Sequence, residues 1–226
     1  MIITIDGPAG VGKTTLARQL ARSLGLAYLD TGAMFRAVGW IFKQKNPGND
    51  QEKILKLLAD IRFGLEGSGW ESHITVNSKR LGPEIRTEEV GMWASNAGRL
   101  EPVRNFLKKT QQRMGASTSL VAEGRDMGSV VFPEAPFKFY LEASPLVRAK
   151  RRQAQLEKMG KHADYNTILD QITKRDQQDQ SRAIAPLKPA PDAIIIDTGP
   201  LTPDQVLNIM KGHLGSARHS LGPAKL

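Results

Sequence analysis

The sequence predicts an α/β fold with a mostly parallel sheet covered on both faces. Three observations lead there. Short apolar runs alternate with helical patterns along most of the chain. The first of these units is a strand, a glycine-rich loop and a helix in immediate succession. One stretch, residues 62–81, breaks the alternation with short paired runs and tight turns, the mark of a small inserted antiparallel sheet. At 226 residues the length admits one large domain, or one core with inserted pieces.

Taken in order, Met1-Ile2-Ile3-Thr4-Ile5 reads as a buried strand. It runs into Gly7-Pro8-Ala9-Gly10-Val11-Gly12-Lys13-Thr14, which fits G-x-x-x-x-G-K-[ST] without a mismatch. Glycines let the backbone curl so that successive N–H groups converge on phosphate oxygens. Lys13 supplies a point charge for the β- and γ-phosphates, and the Thr14 hydroxyl suits a magnesium ligand. Leu16, Ala17, Leu20, Ala21 and Leu24 then recur at helical spacing, with Gly25 as the C-terminal cap. A helix N-terminus adds partial positive charge to such a loop. Gly7 to Thr14, with the adjoining Thr15, is therefore assigned to a nucleoside triphosphate.

Residues 26–29 form a second strand, ending at Asp30-Thr31-Gly32, where Thr31 is expected to cap a helix over 34–42. Asn46-Pro47-Gly48-Asn49 breaks the chain, and Ile54, Leu55, Leu58 and Ile61 mark another helix. After the inserted sheet, Gly82-Pro83 closes the segment, and helices are expected over 87–97 and 101–114, the latter with Pro102 in its first turn. Residues 118–122 form a strand leading into Glu123-Gly124-Arg125-Asp126, and residues 137–141 form another. Ser144-Pro145 starts a basic helix that ends at Gly160; a polar helix over 166–178, a strand over 193–196 and a closing helix from Thr202-Pro203 follow. The small, basic tail over 215–226 is expected to be disordered.

The formal charge is +9, with no cysteine and four scattered histidines that lack metal-ligand spacing. Cysteine-ligated metals and a disulfide framework are excluded, no apolar run reaches transmembrane length, and the cytoplasm is the expected compartment. A basic chain can bind nucleic acid. Aromatic residues are few, however, and no Lys/Arg block extends beyond Lys150-Arg151-Arg152, so a pocket for several phosphates is preferred. Trp40, Trp70 and Trp93 read as packing residues, and the N-K-x-D guanine motif is absent.

Ligands of doubly wound sheets sit beyond the carboxyl ends of the strands. That rule draws together Asp6-Gly7, Asp30-Thr31-Gly32 and Glu123-Gly124-Arg125-Asp126. Opposite a phosphate donor, Arg36, Arg104, Arg125 and Arg182 are the leading candidates to hold an anionic acceptor, because guanidinium forks bind phosphate bidentately and stay charged.

Five separated motifs, IDGPAGVGKTT, LDTGAMFRA, EIRTEEV followed by ASNAG, EGRDMGSVVFPEAPFKFYL, and KRDQQDQSRAIAPL, make the chain resemble the bacterial cytidylate kinases from Ile3 to about Lys211. The resemblance implies a P-loop NTPase-type three-layer fold. It implies a core built from 1–30, 101–147 and 166–214, a monophosphate-binding domain over 31–100 carrying the sheet at 62–81, and a short lid over 148–165. It implies ATP and Mg2+ as co-substrate and cofactor, CMP and dCMP as acceptors, and CDP or dCDP as products in pyrimidine metabolism. Arg36, Arg125 and Arg182 resemble the arginines that hold the CMP phosphate, and Thr31 stands near the acceptor. Ser95, Arg104 and Asp126 resemble the groups that read cytosine, while Arg175 and Asp179 resemble the group around ribose and phosphate. Lys13, Arg125 and Arg182 are the expected catalytic residues and Thr14 the expected metal ligand. Neither nucleic acid nor membrane is an expected partner, and nothing demands more than a monomer.

Three departures from the family pattern stand out. Phe35 replaces a frequent tyrosine, Leu81-Gly82-Pro83 lacks an aspartate, and Gln178 and Gln180 stand where some members carry arginines. The basic helix from Arg148 to Lys158 is the expected moving element, with Arg151 and Arg152 as candidates to reach the transferring phosphate. A UMP kinase, or a basic nucleic-acid-binding module switched by ATP, are the competing readings.

Overall fold

A computed structural model describes residues 1–67 and 69–221, with side chains as far as residue 215. In chain order the elements are β1 (Ile2–Asp6), α1 (Lys13–Leu24), β2 (Ala27–Asp30), α2 (Thr31–Lys45), α3 (Gln51–Ala59), β3 (Phe63–Glu66), β4 (His73–Val76) and β5 (Lys79–Arg80). They continue with α4 (Glu88–Ala97), α5 (Glu101–Ser117), β6 (Leu120–Gly124), β7 (Phe137–Glu142), α6 (Pro145–Lys158), α7 (Tyr165–Gln180), β8 (Ile194–Asp197) and α8 (Pro203–Leu221). One sheet has the order β2-β6-β1-β7-β8 and the other β3-β4-β5. The expected α/β class, parallel sheet and small antiparallel insertion are all present. Two compact units make up the chain, Met1–Leu20 with Gly124–Leu226, and Ala21–Glu123.

In the first unit β1 pairs with β7 and β7 with β8, both parallel, with Ile5 beside Phe139 and Phe139 beside Ile194. Ile3, Ile5, Phe139 and Leu141 are buried, as near-continuous apolar runs in a sheet covered on both faces should be. Ser144 caps α6 by accepting from the Val147 N–H, and Asp164 caps α7 by accepting from Thr167. These two helices join through Ala149, Ile168 and Ile172, flanked by Leu156 and Leu169. The helix α8 continues to Leu221 through residues for which the sequence suggested disorder, while 222–226 lie outside the described residues.

The second unit pairs β2 with β6 in parallel and carries the antiparallel sheet β3-β4-β5 at the predicted insertion. Helix α2 starts at Thr31, the residue expected to cap it, so the cap falls one residue earlier. Asp30, not Thr31, accepts the Ala33 N–H at 2.9 Å, because the Thr31 hydroxyl is turned to the Glu123 carbonyl at 2.6 Å. Helix α4 begins as predicted, with Thr87 accepting from Val90. Gly39 lets α2 and α4 meet closely, since a Cβ there would stand 2.5 Å from the Ala94 nitrogen. Ala33, Ile85 and Val90, with Trp40 and Leu81 against them, form the core of this corner.

Candidate functional site

The glycine-rich loop leaves β1 in the first unit and ends in the first turn of α1. Its first glycine is obligatory: φ is 146°, and a Cβ at Gly7 would sit 2.2 Å from the Leu141 carbonyl oxygen. Gly10 and Gly12 also have positive φ, 77° and 98°. Alternating backbone conformations of this kind turn several N–H groups toward one anion. Lys13 is buried, and its ammonium donates to the Pro8 carbonyl at 2.7 Å, which holds the charge over the loop. Thr14 and Thr15 are exposed in the first turn of α1.

Asp6, the last residue of β1, is drawn toward the site by its place at a strand end but is given no role of its own by motif reading. Its two carboxylate oxygens accept the Met127 and Gly128 N–H groups at 2.9 and 2.8 Å. These donors open a π-helical turn, Met127–Val131, in which Val131 N–H bonds to the Asp126 carbonyl and Phe132 N–H to Met127. The strand under the phosphate loop is thereby tied to the segment that carries Arg125 and Asp126. Burial pushes the Asp6 carboxyl up to about 6; the two amide donors and Lys13 oppose that rise, and nearby Asp126 adds to it. The only sequence signal was an acidic residue between an apolar strand and the loop.

Beyond that turn, the structure brings three predicted residues together. Asp179, near the end of α7, accepts from Arg125 Nε at 2.9 Å and from the Arg182 guanidinium. Burial alone would raise the Asp179 carboxyl, yet Arg125 and Arg182, with Arg175 one turn earlier on α7, hold it below its ordinary value. Arg175 is exposed and Asp126 buried. The result is a pair of guanidiniums pre-set around one carboxylate, a geometry suited to receiving a phosphate.

Within the second unit, Arg36 donates to the Ile85 and Thr87 carbonyls at 3.2 and 3.1 Å, and its guanidinium lies beside Gly91. Arg104 is buried, donates to the Gly98 carbonyl at 3.1 Å and lies 5.6 Å from the Phe35 ring centre. The ring at Phe35 thus keeps a packing role without a hydroxyl. Ser95 is half-buried on α4. Thr31 is buried, and below it Tyr28 donates to the Glu123 carboxylate. Arg36 and Arg104 thus each donate to backbone carbonyls of their own unit.

The arginines of α6 each have partners in the structure. Arg148, at the start of the expected lid, is 2% exposed and paired with Asp176. Arg151 donates to the hydroxyl and the carbonyl of Thr198. Arg152 bonds to Gln155 on the same helix. Among the described residues no group of three or more His, Cys, Asp or Glu side chains is arranged to hold a metal, and no helix is long and apolar enough to cross a membrane.

A family model described as "Cytidylate kinase" matches residues 3–214. The chain is 55% identical over 198 residues to the cytidylate kinase of Oleidesulfovibrio alaskensis, covering 88% of this chain and 90% of that protein. Against the cytidylate kinase of Nitratidesulfovibrio vulgaris strain Hildenborough the figures are 52% over 215 residues, with 95% and 93% covered. Among solved structures, a shikimate kinase from Bacteroides thetaiotaomicron aligns over 97% of this chain and 98% of its own, with a TM-score of 0.50 at 14% identity, a likeness of fold.

Proposed function

The chain belongs to the cytidylate kinase family and is a phosphotransferase, and from that premise we propose that it transfers the γ-phosphate of ATP to CMP or dCMP, yielding ADP and CDP or dCDP. The observation that carries the reading is the composition of the first unit. A complete Gly7–Thr14 loop occurs there with Arg125 and Arg182 already drawn to one carboxylate, Asp179. A donor site and an acceptor-phosphate site in one chain are what a monophosphate kinase requires.

The acceptor is a phosphate oxygen, already deprotonated at neutral pH, so no general base is needed. Catalysis then rests on positioning and charge neutralisation. Loop N–H groups and Lys13 hold the donor's phosphates, while Arg36, Arg125 and Arg182 hold the acceptor's, with Thr31 nearby. Thr14 offers an oxygen donor in the first turn of α1, and a single hydroxyl fits Mg2+, which keeps several waters and takes its remaining ligands from phosphates. Bound there, Mg2+ would neutralise charge on the β- and γ-phosphates.

Cytosine presents an exocyclic amine and a ring acceptor. Asp126 and Ser95 suit the first and Arg104 the second. Uracil presents an acceptor where cytosine has its donor, which strands a buried polar group against Asp126 at a cost on the order of 1–3 kcal/mol, or roughly 5- to 150-fold in affinity. Asp179 and Arg175 border the ribose as well as the phosphate. In this reading residues 31–100 bind the monophosphate and residues 148–165 form the lid that excludes water, its moving part lying beyond Arg148 and Arg151, which are held by Asp176 and Thr198. The enzyme acts as a cytoplasmic monomer in pyrimidine nucleotide metabolism, and its positive charge serves its anionic substrates rather than nucleic acid.

Coupled ADP release tests the assignment across CMP, dCMP, UMP, AMP and dTMP. CMP and dCMP are expected to be the best acceptors. A preference for UMP would overturn the roles given to Ser95, Arg104 and Asp126, and turnover stimulated by RNA or DNA instead of CMP would overturn the kinase assignment.

A further inference from the structure

We propose that Arg148, locked by Asp176, is a positioning residue that sets the phosphate loop for the donor; this deepens the reading of Gly7–Thr14 as the ATP site and rests on it. The Arg148 guanidinium donates four hydrogen bonds. Its Nε donates to the Ala143 carbonyl at 2.9 Å, and its two terminal nitrogens reach the Asp176 carboxylate at 3.0 and 2.5 Å. One of those nitrogens also donates to the carbonyl of Ala9, inside the phosphate loop, at 3.1 Å.

Burying such a pair costs desolvation energy that a joint between two helices does not require. Helices α6 and α7 are already joined by Ala149, Ile168 and Ile172. What the apolar contacts cannot supply is a directed donor for the Ala9 oxygen. In a trans peptide the carbonyl and the following N–H point opposite ways, and the described chain has no cis bond. Drawing the Ala9 oxygen toward α6 therefore turns the Gly10 N–H to the other side of the loop, where converging N–H groups meet phosphate. Gly10 permits this with φ of 77°, a left-handed backbone that a side chain would strain.

A neighbouring contact repeats the arrangement two residues on. Arg151, one turn along α6, holds the Thr198 hydroxyl at 3.0 Å. That hydroxyl stands 3.1 Å from the Glu142 carbonyl and 3.4 Å from the carbonyl of Val11, whose following N–H belongs to Gly12. The basic side of α6 thus braces alternate carbonyls of the loop from behind. The lysine and glycines of the motif depend on residues more than 130 positions away to hold their shape.

The test is calorimetric binding of ADP and, separately, of CMP to the full chain and to Arg148→Met, Arg148→Lys and Asp176→Asn, at a temperature where all are folded. Asp176→Asn keeps the question open to measurement if Arg148→Met does not fold. ADP is expected to bind about 10-fold more weakly to the Met and Asn variants, with the Lys variant in between and CMP affinity within twofold throughout. A purely structural pair would lower the melting midpoint and leave ADP affinity unchanged in the folded protein. That result, or an equal loss for CMP, overturns the bracing role. A parent chain that bound no ADP would overturn the donor assignment and this proposal together, so the two failures are distinguishable.

Discussion

Replacing Asp179 by Asn removes the negative charge that draws Arg125 and Arg182 together while keeping the side chain's size. The three side chains are 2%, 19% and 14% exposed, so the two guanidiniums cannot simply turn to water. An amide still accepts one N–H bond but presents its own NH2 to the other arginine. Breaking a buried pair of this kind costs about 3–5 kcal/mol, and for a chain of this size each kcal/mol lowers the melting midpoint by about 2–4 °C. The fall should therefore be on the order of 10 °C. Misdirected arginines would grip the acceptor phosphate less well, which should raise the KM for CMP about 10- to 100-fold, with the KM for ATP within twofold. The loss should be larger for CMP than for dCMP if the carboxylate also meets the 2′-hydroxyl. Because the folded-state value of Asp179 lies below 3.8, its contribution is present above that pH and is lost as the pH falls below it. The parent should accordingly lose stability below about pH 4, and the Asn variant should lack that component. Steady-state kinetics with each substrate varied, alongside thermal melts across pH, provide the assay. An unchanged KM for CMP, or a loss confined to ATP, would refute the reasoning.

Other expectations follow from the same geometry. Asp6 has the opposite pH signature: its folded-state value near 6 exceeds the ordinary 3.8, so its relative stabilisation is greatest below 3.8 and is lost as the pH rises through 6. That amounts to about 3 kcal/mol, and melts of Asp6→Asn between pH 4 and 7 should be flatter than those of the parent. Gly7→Ala forces a side chain against the Leu141 carbonyl at a positive φ, and should cost about 3 kcal/mol or more by denaturant unfolding and weaken ADP binding by calorimetry. Arg104→Met keeps contact with Phe35 but removes the cation, and should lower kcat/KM for CMP about 10-fold while bringing CMP and UMP closer together.

The sequence made legible what is local. Gly7 to Thr14 announces its own backbone, and the turns between 62 and 81 announce a small sheet, because both are written in contiguous residues. Thr31 shows where local reasoning slips. Asp30 and Thr31 are both good caps, and only the Glu123 carbonyl, 92 residues away, decides between them. Long-range polar pairs were illegible for the same reason. Nothing near Asp6 specifies the amides of Met127 and Gly128, and nothing in a basic helix distinguishes the buried Arg148 from its solvated neighbours. The grouping of Arg125, Asp179 and Arg182 was anticipated through family motifs rather than through spacing, since 54 residues separate Arg125 from its acid.

The measurement that bears most directly on the proposed function is a competition. Terminally labelled ATP is offered limiting enzyme with CMP and UMP at equal concentration, and the labelled products are separated. CDP should carry most of the label, exceeding UDP by roughly 5- to 150-fold, the range set by one stranded polar group against Asp126. Label divided equally between CDP and UDP, or released mainly as inorganic phosphate, would contradict it.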